Sequence, residues 1–139
     1  MKVTRVEVWA SPVDDKPGGA AEKLNMLAVA GADLQMVYGM RTADMPSGAM
    51  MAVSPLKSPE EMKAAKQAGF VKVEAANVVR VEGGDRKGRG AVITQALADA
   101  HINLAGLSAA AIGKKFVCYI MLDTAKDAAK AMRILKKLR

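Results

Sequence analysis

The chain has 139 residues, a length that fits one ordinary domain or two very small ones. Hydrophobic residues make up 51% of it and charged residues 25%, which permits a buried core and argues against a disordered chain. The net charge is +7, no apolar stretch approaches the ~20 residues of a membrane-spanning helix, and the single cysteine excludes an internal disulfide. Together with a charged, alternating N-terminus that is unlike a signal peptide, these features favour a cytoplasmic protein.

The first half of the sequence predicts six elements in the order βαββαβ. Residues 3–10 alternate between apolar and polar side chains, as a half-buried strand does. A helix follows the loop DDKPGG at residues 14–19 and ends near Ala30, since Gly31 tolerates a left-handed backbone. Next come two strands, DLQMVYGM and AMMAVSPL, then a helix capped by Ser58, and finally a strand, FVKVEA.

The second half of the sequence repeats this pattern. When the sequence is shifted by 70 residues, Asp15 falls on Asp85 and Gly18 on Gly88 without a gap. The elements are a strand NVVRVEG, a helix at about 89–101, the strands LAGLSAAAI and FVCYIML, and a helix at 124–138. A βαββαβ unit is ferredoxin-like, with an antiparallel sheet and two helices on one face. The sequence therefore predicts an α+β protein of two tandem ferredoxin-like units, 1–75 and 76–139, of which the second lacks its last strand.

The junction between the two units contains no Gly, Pro or Ser linker. We therefore expect one long strand through residues 70–82, with a bulge near Ala76 and Asn77, that ends the first unit and begins the second. In this fold the fourth strand pairs with the first, so a missing fourth strand would leave residues 77–82 at an open edge. Because exposed edges invite pairing, we expect a symmetric homodimer. The alternative is that the sheets of the two units lie side by side within one chain, which would need no partner.

Two carboxylates, a proline and two glycines occupy the turn between the first strand and the first helix. A helix N-terminus offers unpaired N–H groups and a partial positive charge. Gly18 and Gly19 leave the backbone open to a ligand, and Asp15 either caps the helix or binds a cationic group. Such a loop suits a small zwitterion, whose carboxylate meets the N–H groups and whose ammonium meets Asp15.

The succession of strand, D-x-P-G, helix, small-residue stop, Asp or Asn, and apolar strand, in a tandem βαββαβ chain, resembles the ACT domain family. Members of that family bind amino acids and regulate metabolic enzymes. The resemblance rests on Asp15, Pro17, Gly18 and residues 31–34 (GADL) in the first unit, and on Asp85, Gly88 and residues 101–104 (HINL) in the second. The second unit departs from the family at Lys87, where proline is usual.

The resemblance implies a non-catalytic regulatory protein that binds an L-amino acid, needs no cofactor, and has a regulated enzyme as a further partner. It also implies a ligand site that joins the strand-to-helix loop of one unit to the polar residue opening the second strand of another. Carried over by position, the site residues are Asp15, Lys16, Pro17, Gly18, Gly19 and Asp33 in the first unit and Asp85, Gly88 and Asn103 in the second.

The sequence offers little for catalysis or metal binding. His101 is the only histidine, Cys118 lies among apolar neighbours in a predicted strand, and no cluster of Cys, His, Asp or Glu has metal-ligand spacing. Two other classes stay open: an oligomerisation module without a ligand, and a basic nucleic-acid-binding protein. Aromatic residues are only 4%, and neither third strand has the basic-aromatic pattern of RNA-binding domains, which disfavours nucleic acid.

Overall fold

The computed structural model describes the whole chain, Met1–Arg139, which divides into two compact units. We call Glu7–Glu74 the inserted unit, and Met1–Val6 together with Ala75–Arg139 the outer unit, because the first interrupts the second along the chain. The elements in chain order are β1 (Lys2–Val6), β2 (Trp9–Asp14), α1 (Gly19–Val29), β3 (Met36–Arg41), β4 (Gly48–Ser54), α2 (Pro59–Gln67), β5 (Val71–Lys72), β6 (Asn77–Gly84), α3 (Arg89–Asp99), β7 (Leu104–Ile112), β8 (Lys115–Leu122) and α4 (Ala125–Lys136).

The inserted unit is a four-stranded antiparallel sheet in the order β3-β4-β2-β5, against which α1 and α2 pack. At the start of helix α2, the Ser58 hydroxyl caps the helix by accepting a hydrogen bond from the Glu61 N–H, and the Glu61 carboxylate accepts one from the Lys57 N–H, one residue before the cap. The core is a cluster of buried apolar side chains from both layers, including Trp9, Val13, Leu27, Met51, Val53, Ala65 and Phe70. The element order is βαββαβ, as the sequence predicts.

The outer unit is a second four-stranded antiparallel sheet, in the order β1-β6-β8-β7, against which α3 and α4 pack. Helix α4 begins at Thr124, whose hydroxyl accepts a hydrogen bond from the Asp127 N–H at 3.0 Å. Its core contains Val3, Val79, Val81, Ile93, Leu97, Cys118, Ile120, Ala128 and Leu135. Both units thus have the ferredoxin-like strand order, and the predicted fold class is confirmed.

The predicted strand over residues 3–10 is in fact two strands in two different sheets. β1 pairs with β6, from Lys2 opposite Glu82 to Val6 opposite Val78, whereas β2 pairs with β4 and β5. β1 thereby occupies the fourth-strand position that the sequence after α4 does not fill. The compact units consequently differ from a division into 1–75 and 76–139, since residues 1–6 join Ala75–Arg139.

The expected open edge at residues 77–82 is wrong, because β6 lies between β1 and β8 and is paired on both sides. β6 therefore offers no free edge through which a second chain could pair. The expected continuous strand through residues 70–82 is also wrong. β5 has only two residues and pairs with β2, and after a turn β6 begins at Asn77 in the other sheet.

The 70-residue repeat is visible in the backbone of the two units. Helices α1 and α3 each follow a glycine in the left-handed conformation, Gly18 with φ 86° and Gly88 with φ 78°. After the same helices, Gly31 with φ 87° and His101 with φ 58° share the left-handed conformation as well. His101 therefore occupies a turn position that favours glycine. Its role in the fold is to form the left-handed turn that ends α3.

Candidate ligand-binding loops

The loop between β2 and α1 lies at the end of the inserted unit's sheet where three chain segments meet. Asp14, at the end of β2, is opposite Gly48 at the start of β4, and β4 also pairs with the end of β3. The Asp15 N–H donates to the Ser47 carbonyl at 3.1 Å, and the Thr42 N–H donates to the Gly48 carbonyl at 2.9 Å. Backbone hydrogen bonds therefore hold the loop against the β3–β4 connection.

The first turn of α1 presents unpaired backbone N–H groups at this loop. The Gly19 N–H donates to the Lys16 carbonyl and the Glu22 N–H to the Gly18 carbonyl, and no side chain caps the helix. The N–H groups of Ala20 and Ala21, which lie between these two, have no backbone acceptor. Gly18 is exposed and has no side chain, so an anionic group can approach this helix end closely.

Asp15 does not cap α1, because the N-cap residue is Gly18. Instead its Oδ2 atom accepts a hydrogen bond from Arg41 Nε at 2.9 Å. Both side chains are open to solvent, with 43% of Asp15 and 83% of Arg41 exposed. The pair sets a carboxylate beside a guanidinium, which is the arrangement that complements the ammonium and carboxylate of a zwitterion.

Arg41 is a functional candidate that the sequence analysis does not identify. It lies 26 residues from Asp15, in a segment with no recognisable motif. The contact depends on the register of β3 and β2 against β4, which places Arg41 opposite Ala49 and Asp14 opposite Gly48. No local pattern encodes that register.

Gly19 is needed for the close approach of the helix to the strand. A Cβ atom at this position would overlap the carbonyl oxygen of Asp14 and would lie 3.3 Å from Val13 Cγ1. Lys16 and Pro17 are exposed in the same loop, with Lys16 Nζ 3.9 Å from Asp14 Oδ2. Such an exposed ion pair contributes little to stability, so Lys16 is free to reorient towards a ligand.

In the outer unit the corresponding loop lies between β6 and α3. Its backbone follows the same path, but its side chains make different contacts. The Asp85 N–H donates to the Lys114 carbonyl at 2.9 Å, and Gly88 precedes α3. Arg89, at the position of Gly19, is buried, and its guanidinium donates to the carbonyls of Gly84 and Arg139 at 2.8 and 2.9 Å. The Asp85 carboxylate has no cation within 4 Å, so this loop lacks the paired charges of the first one.

No family model and no curated protein matches the sequence of the chain. Several solved structures match its fold. The ligand-free regulatory subunit of aspartate kinase from Thermus thermophilus matches with a TM-score of 0.66 and 19% identity, over 98% of this chain and 94% of that one. The regulatory subunit from Thermus flavus matches with a TM-score of 0.61 and 18% identity, over 99% and 96%. A Bacteroides thetaiotaomicron protein matches with a TM-score of 0.76 and 13% identity, over 96% and 90%.

The chain shares the tandem ferredoxin-like fold of these regulatory subunits, which is the fold that the resemblance to ACT domains implies. At this level of identity the likeness establishes the architecture alone, so a function has to be argued from the chemistry of the loops. None of the helices is long and apolar enough to cross a membrane.

Within each unit, the strand-to-helix loop and the polar residue that opens the second strand lie apart. Asp33 precedes β3, whose first residue pairs with Ser54 at the end of β4, whereas Asp15 lies beside the start of β4. In the outer unit Asn103 precedes β7 near Leu122, at the end of β8 away from Asp85. Asp33 and Asn103 are exposed, and within a unit neither is brought to the loop.

The remaining titratable candidates lie away from these loops. Cys118 is 1% exposed in the outer unit's core, and burial raises the pKa of its thiol from 9.0 to about 11. A thiol with so high a pKa is protonated and unreactive at neutral pH. No group of three or more His, Cys, Asp or Glu side chains comes together as a metal site would require.

Proposed function

We propose that the protein is a non-catalytic regulatory protein whose inserted unit binds an L-amino acid or a close relative at the β2–α1 loop. The observation that carries the proposal is the paired arrangement of the Asp15 carboxylate and the Arg41 guanidinium beside a helix end with unpaired N–H groups. The ligand's ammonium would replace Arg41 as the partner of Asp15. Its carboxylate would bind Arg41 or the N–H groups of Ala20 and Ala21.

The fold supports a regulatory role, because the solved structures that share it include regulatory subunits of aspartate kinase. We accordingly propose a cytoplasmic protein that acts on a separate enzyme, with the ligand altering that interaction. Asp33, Asp85, Gly88 and Asn103 enter this proposal only through the family resemblance. The Asp85 loop should bind more weakly, since Lys87 replaces the proline and Arg89 replaces the second glycine.

We also propose that the protein forms a homodimer. The evidence is the free edge of β7, since β6 is paired on both sides. Strand β7 is an edge strand of nine residues that contains no charged side chain, and its Leu107 and Ile112 are 50% and 77% exposed. Long uncharged edges are a template for pairing with a second chain. An oligomerisation module without a ligand is therefore the second candidate function.

A thermal-shift screen of the twenty L-amino acids at millimolar concentration tests the ligand proposal. A ligand present at 100 times its dissociation constant adds about 2.7 kcal/mol to the free energy of unfolding, which gives a measurable rise in Tm. The variant Asp15→Asn should lose most of that rise, whereas the matched variant Asp85→Asn should keep it. A flat response to all twenty amino acids would remove the sensor function and leave the oligomerisation module.

A further inference from the structure

A groove of about 870 Å³ lies at the Gly84–Lys115 end of the outer unit's sheet, and most of its lining residues belong to the face away from α3 and α4. Its floor includes Gly84, Ala110 and Val117, and its rim includes Lys2, Lys114 and Lys115. We call these six residues the basic groove. Its volume is within the range of small-molecule sites, about 300–1,000 Å³.

The register of the strands explains why the sheet is concave at this place. Glu82, Val117 and Ala110 form one row across β6, β8 and β7, and Gly84, Lys115 and Ile112 form the next row. Gly84 and Ala110 have little or no side chain, while Ile112 and Lys115 stand beside them. The missing volume at the small residues leaves an apolar depression between larger neighbours.

The three lysines on the rim form no ion pair, although Lys2 is opposite Glu82 in the pairing of β1 with β6. Lys2, Lys114 and Lys115 have no carboxylate within 4 Å, whereas the Arg80 guanidinium is paired with Glu82 and also donates to the Tyr119 hydroxyl at 3.1 Å. The charge excess of the chain also lies in this unit. The outer unit carries fourteen Lys and Arg against five Asp and Glu, and the inserted unit carries seven against nine.

We propose that the basic groove is a second ligand site, which binds a small amphiphilic anion. The apolar or aromatic body of the ligand lies on Val117 and Ala110, where burial of apolar surface favours binding. Its carboxylate or phosphate group lies among the ammonium groups of Lys2, Lys114 and Lys115. None of these residues belongs to the β2–α1 loop of the inserted unit, so the groove is separate from the amino-acid site proposed there. Gly84 and Lys114 do adjoin the Asp85 loop, since the Asp85 N–H donates to the Lys114 carbonyl.

Nucleic acid fits this surface less well than a small anion does. Two aromatic rings lie near the groove, and neither is free to stack on a base. Phe116 lines the groove but is only 7% exposed, and Tyr119 is engaged by Arg80, 5.8 Å from the ring centroid. Single-stranded nucleic acid needs several stacking rings along a basic track. The Glu82 carboxylate also lines the groove, and it would repel a phosphate backbone.

The test uses the fluorescent anion 8-anilinonaphthalene-1-sulfonate and its neutral counterpart N-phenyl-1-naphthylamine, which share the aromatic body. We expect the sulfonate to bind at micromolar concentration and the neutral probe to bind about tenfold more weakly, since loss of a charge-assisted contact costs about that factor. 2-Naphthoate and 2-naphthyl phosphate, as competitors, show whether the site prefers a carboxylate or a phosphate.

Two variants locate the binding. Gly84→Leu fills the groove, and the fold should tolerate it because a Cβ atom at Gly84 meets nothing within 4 Å. The double variant Lys2→Gln, Lys115→Gln removes two rim charges. Both should weaken binding of the sulfonate about tenfold or more. The controls Gly90→Leu and Lys126→Gln, at an open position of α3 and an exposed position of α4, should leave it unchanged.

Each measurement has a result that would overturn the proposed anion site. No fluorescence enhancement by the sulfonate at millimolar concentration would overturn the proposal, and so would equal binding of the charged and neutral probes. Unchanged binding in folded Gly84→Leu, checked by its circular dichroism and Tm, would likewise overturn it. The thermal-shift screen of amino acids reports on the Asp15 loop. A negative result in that screen would therefore not change the probe binding expected at the basic groove.

Discussion

Gly19 lies so close to the Asp14 carbonyl that a single methyl group cannot be added without moving the loop. We expect Gly19→Ala to lower the free energy of unfolding by about 1–3 kcal/mol, because overpacking at a tight contact displaces backbone. The matched control is Gly90→Ala in α3, where a Cβ atom meets nothing within 4 Å. That change should raise stability by about 0.4–1 kcal/mol. Urea unfolding of both variants checks this, and an equal effect at the two glycines would contradict it.

The buried thiol of Cys118 should make the free energy of unfolding depend on pH in the alkaline range. Its thiol has a pKa of about 11 in the folded chain and 9.0 when exposed, so the unfolded state loses its proton first as pH rises. The free energy of unfolding should therefore fall between pH 9 and pH 11, by about 2–3 kcal/mol from this group. Cys118→Ala removes this contribution. Urea titrations at several pH values should show the difference between the two proteins changing over this window, and parallel curves would refute the assignment.

Among the elements, β1 is the strand whose role differs most from the sequence prediction. Val3 on this strand is 5% exposed and packs in the outer core, while Thr4 points to the opposite face. We expect Val3→Ala to cost about 1–3 kcal/mol of stability, and Thr4→Ala about 0.5 kcal/mol or less. Hydrogen exchange at the amides of β6 provides the readout, since β1 protects them. Unchanged protection in Val3→Ala would show that β1 does not stabilise this sheet.

The sequence predicts the elements well and their partners poorly. The helices are encoded locally, through the Ser58 cap, the glycine before α1 and the regular spacing of apolar residues. β1 and β2 form one β-forming run, VTRVEVWASPV, with no turn residue between them. What separates them is that β1 pairs with β6, more than 70 residues away. The Asp15–Arg41 pair and the basic groove depend on strand register in the same way, so no local motif announces them.

At the scale of the whole molecule, the uncharged edge of β7 predicts self-association. We expect the protein to sediment at micromolar concentration as a species larger than the 14.6 kDa monomer. Ser108→Lys places a charge on this exposed edge and should shift the equilibrium towards the monomer. Val29→Lys, at a side chain of α1 that is 91% exposed, adds the same charge elsewhere and should not. A wild-type monomer would contradict the prediction.

Binding of an amino acid at the β2–α1 loop of the inserted unit can be observed residue by residue through backbone amide NMR shifts. Titration with the amino acid that gives the largest thermal shift should move the amide signals of Lys16 and Gly18 to Ala21, together with the side-chain Nε signal of Arg41. These changes should be absent in Asp15→Asn at the same ligand concentration. Saturable shifts confined to other parts of the chain, or no shifts at millimolar amino acid, would show that this loop is not an amino-acid site.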